Sequence, residues 1–164
     1  STLFPYTTLF RSTNISVMLK LFAQHKLPVA VDPKQKNFLL YKGVALFKPN
    51  LREISEAMKL QVKTTTADLK KASVWVRKKL SNQQTIITLG AEGIFLDDKK
   101  TSIIKSSAPR QVADVSGAGD TVIAVLALAL AAKINLTDVL DLANLAGGLV
   151  CEQPGVVPVD VNRL

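Results

Sequence analysis

Asp114-Val115-Ser116-Gly117-Ala118-Gly119-Asp120-Thr121 runs directly into a long apolar stretch over 122–132. Two glycines around an alanine let the backbone approach an anion closely, and the first free N–H groups of the following helix point at it. The stretch therefore reads as a phosphate cradle. Asp120 falls in the first helical turn, where a carboxylate complements the helix dipole. Beside a bound phosphoryl group the same carboxylate can accept the proton of an attacking hydroxyl, the base role in phosphoryl transfer. A plain helix start capped by Ser116 and Asp120 accounts for the same residues, because short glycine motifs recur by chance.

Outward from this turn the chain alternates helix and strand. Asn14 reads as the cap of a helix with Ile15, Met18, Leu19 and Phe22 at helical spacing, ending before Pro28. Short buried strands follow at 29–31 and 44–47, and Asn50 caps a helix over 51–58. Thr66 or Asp68 opens a helix through Leu80, with Leu69, Ala72, Val76 and Leu80 on one face. A third strand covers 85–89. Segments 93–96 and 101–104 form an antiparallel hairpin across the polar turn 97–100. Two helices close the chain, 117–132 and 136–150, divided at Asn135 with Thr137 or Asp138 as cap. Strands alternating with helices predict an α/β fold with a mainly parallel sheet covered on both faces. Ligands of such sheets bind at the carboxyl ends of the strands, so Asp32, Asn50 and Gly90 are expected on one rim.

Composition suits one enzyme-sized unit. The 164 residues are 48% hydrophobic, enough for a core without staples. The single Cys151 has no partner for an internal disulfide, which fits a cytoplasmic location and a small core residue. The apolar run over 122–132 is too short to span a membrane before Lys133 interrupts it. Twenty-one basic against 13 acidic residues give +8, but Lys and Arg are spread over turns and helix faces. No basic tract is interleaved with aromatics, so neither nucleic acid nor a membrane is expected as a partner. Residues 2–12 read as the translation of a sequencing-adapter oligonucleotide, which would make 1–12 non-native and leave 13–164 as the natural part. The plainer reading of that segment is an extended N-terminus.

The motif Asp114-x-x-Gly117-Ala118-Gly119-Asp120, followed by a small-residue apolar helix, resembles the C-terminal signature of the ribokinase-like (PfkB) carbohydrate kinases. Three more segments fit that family in order. Phe47-Lys48-Pro49-Asn50-Leu51-Arg52-Glu53 resembles its Asn-x-x-Glu motif. Thr85-Ile86-Ile87-Thr88-Leu89-Gly90-Ala91-Glu92-Gly93-Ile94-Phe95 resembles its strand, Gly-x-x-Gly turn and second strand beside the nucleotide. Ala143-Asn144-Leu145-Ala146-Gly147-Gly148 resembles the helix that closes its adenine pocket. Within the family the likeness is nearest to the kinase domain acting on D-glycero-β-D-manno-heptose 7-phosphate in lipopolysaccharide core synthesis, through 31–34, 114–127 and 155–159. It runs from about Asn14 to the end and covers the C-terminal half of such a domain.

The resemblance implies a three-layer αβα sandwich and ATP-dependent phosphorylation of a sugar hydroxyl. It implies Asp120 as base, with the N–H groups of Gly117, Ala118 and Gly119 on the transferred phosphate. Asn50, Glu53, Thr88, Gly90, Gly93 and Asn144 would meet the nucleotide, Glu53 would hold Mg2+ through water, and Asp114 and Ser116 would lie at a monovalent cation such as K+. The acceptor would be a sugar or sugar phosphate; another sugar kinase (ribose, fructose or ketodeoxygluconate) and a non-catalytic nucleotide-binding fragment stay open. So do a homodimer and a nucleotidyltransferase domain after Leu164, and the chain alone is expected to be inactive.

Each residue also has a plain role. Asn50 and Glu53 make a capping box, and Gly90 and Gly93 suit a turn. Asn144 is an amide inside an apolar helix and needs polar partners, which an adenine or ribose would supply. Asp32 before Pro33 is a turn former or faces substrate. Lys34 and Lys48 either help neutralise a phosphate or are solvated. His25 reads as a surface residue at a helix end, and Trp75 as core.

Overall fold

The computed structural model describes residues 12–164. The segment 1–11, on which most of the adapter reading rests, lies outside the described residues. Helix α1 covers Ser12–Gln24, followed by strand β1 at Ala30–Val31 and a short 3-10 turn at Gln35–Leu40. Strand β2 is Leu46–Phe47, with helices α2 at Leu51–Met58 and α3 at Thr66–Leu80 after it. Strand β3 is Gln84–Thr88, β4 is Ile94–Asp97 and β5 is Ser102–Lys105. Helices α4, Ala118–Ala131, and α5, Leu136–Val150, close the fold.

The strands form one mixed sheet in the order β1-β2-β3-β4-β5. The first three are parallel, and β3-β4-β5 are antiparallel. Because successive side chains point to opposite faces, neighbouring apolar residues feed two separate cores. Phe47, Ile87 and Phe95 pack with Phe38, Ile54, Leu69, Val76 and Leu80 on the face covered by α2 and α3. Leu46, Ile86, Ile94 and Leu96 pack with Val122, Leu126, Leu140 and Ala143 on the face covered by α4 and α5. The result is the expected α/β sandwich, helices on both faces of the sheet. Among the described residues no helix is long and apolar enough to cross a membrane.

Several element ends move from their expected places. Helix α1 begins at Ser12, so Asn14 lies inside it; the ends of a periodic pattern are its least determined part. Thr65, one residue before the expected start, caps α3 by accepting from the Asp68 N–H. Asn135 itself caps α5, accepting from the Thr137 N–H, so neither Thr137 nor Asp138 is the cap. Gly117 precedes α4 in a left-handed conformation with φ +82°, and no side chain caps that helix. Asp97 is no turn residue: it ends β4 and is buried.

Candidate active site

The parallel strands β1, β2 and β3 end on one rim, and the residues that follow them meet there. Lys48 N–H donates to the Val31 carbonyl at 2.8 Å, and Thr88 N–H donates to the Pro49 carbonyl at 3.1 Å, carrying the pairing past the strand ends. Asp32 and Lys48 thereby lie side by side, Lys48 Nζ 3.2 Å from Asp32 Oδ2. Lys48 is only 2% exposed, so its charge is paired rather than solvated.

Asn50 and Glu53 form a reciprocal capping box at the head of α2. Glu53 N–H donates to Asn50 Oδ1 at 2.8 Å, and Asn50 N–H donates to Glu53 Oε2 at 2.9 Å. Burial pushes the Glu53 carboxyl above the usual range; the Asn50 N–H and the Lys34 and Lys48 ammonium groups oppose that, while the Asp32 charge adds to it. Asp32, Lys34, Lys48 and Glu53 therefore share one electrostatic environment.

The glycine turn 117–119 arrives at this cluster from the other end of the chain. A Cβ built on Gly119 would stand 3.5 Å from Lys48 Nζ and 3.8 Å from Asp32 Oδ2. Those are ordinary contact distances, so the backbone of the first turn of α4 lies directly beside that ion pair. Thr121 N–H and Oγ1–H both donate to the Gly117 carbonyl at 2.9 Å, fixing the turn from the helix side. Asp120 is exposed in the first helical turn. On the loop side Asp114 Oδ1 accepts from Ser116 N–H at 2.9 Å and Ser116 Oγ–H at 2.8 Å, and Oδ2 accepts from Gly155 N–H at 3.0 Å. Donation from Ser116, backbone first, holds the Asp114 carboxyl below its ordinary value. Both residues brace the turn, so Ser116 supports Asp114 rather than capping α4.

Thr88, Leu89 and Gly90 border a cavity of about 460 Å³ shared with Asn50 and Leu51. Gly90 has φ +63° and Gly93 φ +109°. A Cβ on Gly93 would meet the Lys105 carbonyl oxygen at 2.0 Å and Ser107 N at 2.8 Å, so a glycine is required there by close approach. Asn144 reaches the same segment from α5. Its Nδ2 donates to the carbonyls of Lys105 at 3.3 Å and Ser106 at 3.0 Å, and its Oδ1 accepts from Ser107 Oγ at 2.8 Å. The polar partners expected from adenine or ribose are thus supplied by the chain itself.

Among the described residues no cluster of three or more His, Cys, Asp or Glu side chains gathers to hold a metal ion. A site that offers one or two carboxylates suits Mg2+ held largely by water and phosphate oxygens. His25 is exposed after α1, Trp75 packs partly buried against the α3-side core, and Cys151 is buried with its thiol on the Gly147 carbonyl. Sequence reasoning missed the burial of Lys48; its position between the apolar 44–47 and Pro49 was the available signal.

A sequence model of the pfkB family carbohydrate kinases matches residues 7–161. Bifunctional protein HldE of Koribacter versatilis is 38% identical over 147 residues, covering 90% of this chain and 30% of that protein. Bifunctional protein HldE of Campylobacter curvus is 40% identical over 129 residues, 79% of this chain and 27% of that protein. The chain thus spans under a third of the length of these curated relatives. Among solved structures, phosphofructokinase-2 from Escherichia coli in complex with potassium superposes with a TM-score of 0.84 at 18% identity, over 93% of this chain and 50% of that one. Arabidopsis thaliana ribokinase complexed with ribose and ATP gives 0.76 at 24% identity, over 89% of this chain and 48% of that one. Both carry the fold seen here.

Proposed function

This chain belongs to the pfkB family of carbohydrate kinases, and on that premise we propose that it forms the nucleotide side of an ATP-dependent sugar kinase. The observation that carries the proposal is the meeting of Gly119 with the Asp32–Lys48 pair, two segments more than seventy residues apart in sequence. A side chain at 119 that extends beyond Cβ, such as aspartate, would enter the space that a phosphoryl oxygen needs beside Lys48. The turn 117–119 lies at the positive end of α4, where an anion is favoured; the Ala118 N–H donates to the Val115 carbonyl at 3.3 Å, which leaves the N–H groups of Gly117 and Gly119 as the proposed phosphate donors.

Bound MgATP would supply the electrophilic γ-phosphoryl group and a divalent charge beside it. The chain's own residues do the rest by position and charge. Lys48, held by Asp32, neutralises phosphate charge. Glu53 would hold the magnesium ion through water, its carboxylate kept in place by the Asn50 N–H. Asp120 takes the proton of the acceptor hydroxyl as the phosphoryl group moves to it. Gly90, Gly93 and Thr88 shape the nucleotide border, and Asn144 acts there by holding 105–107 in place. Asp114 belongs to the proposal as a neighbour of a monovalent cation, a reading supported by the potassium named with the Escherichia coli relative.

The proposed acceptor is the anomeric hydroxyl of D-glycero-β-D-manno-heptose 7-phosphate. Support comes from the likeness to the bifunctional HldE proteins, whose naming also favours a second catalytic domain in the natural protein. Titration of MgATP against this chain tests the nucleotide site. Binding by the wild type that Gly119→Asp abolishes is expected, and a wild type that binds none overturns the proposal. A coupled ADP assay of the full-length natural protein tests the acceptor. Preference for the heptose 7-phosphate over ribose and fructose is expected; preference for an unphosphorylated sugar refutes it.

A further inference from the structure

The loop that delivers the anion turn is anchored at its base by a partly buried ion pair. Arg110 Nη1 donates to Glu152 Oε1 at 2.6 Å, and Glu152 Oε2 accepts from Arg163 Nη2 at 2.7 Å. The Arg110 and Glu152 side chains keep only 17% and 26% of their exposure, so water screens the pair less than it screens a surface pair. The Arg110 guanidinium lies against α5 at Gly148. A Cβ there would stand 2.5 Å from Arg110 Nε, 2.9 Å from Cδ and 3.3 Å from Cζ.

Three residues further on, Ala113 and Asp114 N–H donate to the Cys151 carbonyl at 2.8 and 3.2 Å. Gly155 N–H donates back to Asp114 Oδ2 at 3.0 Å. These contacts tie 110–114 to 151–155 along one seam that begins at Arg110 and ends beside Ser116, one residue before the glycine turn. A turn that binds an anion through backbone N–H groups depends on those groups being aimed before the anion arrives. Within the turn the Gly117 carbonyl is held by Thr121 and the Ala118 N–H by the Val115 carbonyl, but Gly117 and Gly119 are its most permissive residues, so the loop that leads into it contributes to that order.

We propose that Arg110 and Glu152 are positioning residues for the phosphate-binding turn, their ion pair seated in the space that Gly148 leaves on α5. The proposal rests on the nucleotide-site reading above. Neither residue touches the bound phosphate; both act through the seam at 113–114.

Amide hydrogen exchange and MgATP titration of this chain test it, with Glu152→Gln and Gly148→Ala as the variants. Glu152→Gln removes the charge and keeps the shape. Gly148→Ala displaces the guanidinium while raising helix propensity in α5. Both variants are expected to exchange the Ala113 and Asp114 amides about tenfold faster, the scale of one charge-assisted hydrogen bond, with Leu126 in α4 unchanged. Both are expected to bind MgATP about tenfold more weakly. A merely stabilising pair would instead lower the melting temperature of Glu152→Gln and leave the nucleotide affinity of both variants alone.

Unchanged exchange at 113–114 overturns the proposal. So does faster exchange with unchanged MgATP affinity, since the seam would then order the loop without aiming the turn. A wild type that binds no MgATP overturns the nucleotide reading instead, and the exchange at 113–114 then decides by itself whether the pair holds the loop.

Discussion

Asp97 is 1% exposed at the end of β4, where its carboxylate accepts from the Ser73 hydroxyl and the Arg77 guanidinium of α3. Burial pushes its carboxyl up, but Ser73 and Arg77 outweigh burial and hold it below the usual range. A lowered folded-state value means stability that is present above the unfolded carboxylate range and lost as pH falls through the folded value. Urea unfolding followed from pH 7 into the acid range is therefore expected to show a declining free energy below about pH 4, with a shallower decline in Asp97→Asn. Removing the partner by Arg77→Met leaves a buried charge unpaired and is expected to cost about 3–5 kcal/mol at neutral pH. At the proposed active site, Asp120→Asn in the full-length natural protein is expected to retain MgATP binding and lower kcat by about two orders of magnitude or more. Near-normal turnover removes Asp120 from the base role. The places of Asp120, in the first turn of α4, and of Asn50 and Glu53, in the capping box of α2, were legible because each lies within one local motif. Asp97 and Asn144 were not: Ser73 is 24 residues from Asp97, and the partners of Asn144 are 37 to 39 residues away.

At the scale of elements, the best read boundaries are those with a side-chain cap. Helix α2 runs Leu51–Met58 as expected because Asn50 and Glu53 close its first turn on themselves. Asn50→Ala is expected to cost about 1 kcal/mol of stability in thermal or urea unfolding, and to loosen Glu53 at the rim. Helix α4 starts without any side-chain cap, and its beginning follows from the left-handed Gly117 instead. The close approach of α4 to α5 at Gly147 was not legible, since it depends on a side chain that is missing there. A Cβ on Gly147 would come within 2.7 Å of Val122 Cγ2. Gly147→Leu is expected to force the two helices apart and lower stability by about 1–3 kcal/mol, read by urea unfolding. The two-residue strands β1 and β2 were expected longer; the residues before β2 stay buried, but Ala45 and Leu46 N–H both donate to the Val29 carbonyl, which breaks the regular ladder there.

At the scale of the whole molecule, β1 lies at an outer edge of the sheet among the described residues, and apolar side chains stand exposed on helices of both layers. Val17 is 62% and Leu21 50% exposed on α1, and Leu128 is 72% exposed on α4. An open edge flanked by apolar surface favours association. Analytical ultracentrifugation of the chain is expected to show concentration-dependent self-association that Val17→Lys with Leu128→Lys reduces; a monomer at all concentrations would contradict this. The sequence by itself determined the α/β class, the alternation of elements, and a glycine turn at the start of α4 with a carboxylate in its first helical turn, because hydrophobic period, capping residues and glycine spacing act over a few neighbouring residues. Only the tertiary structure decided that Lys48 is buried against Asp32 beneath Gly119, that Asn144 is satisfied by 105–107, and that Arg110 and Glu152 brace the turn. Those are pairings between distant segments, and their burial and charge follow from how the sheet and helices close in space, which no local pattern encodes.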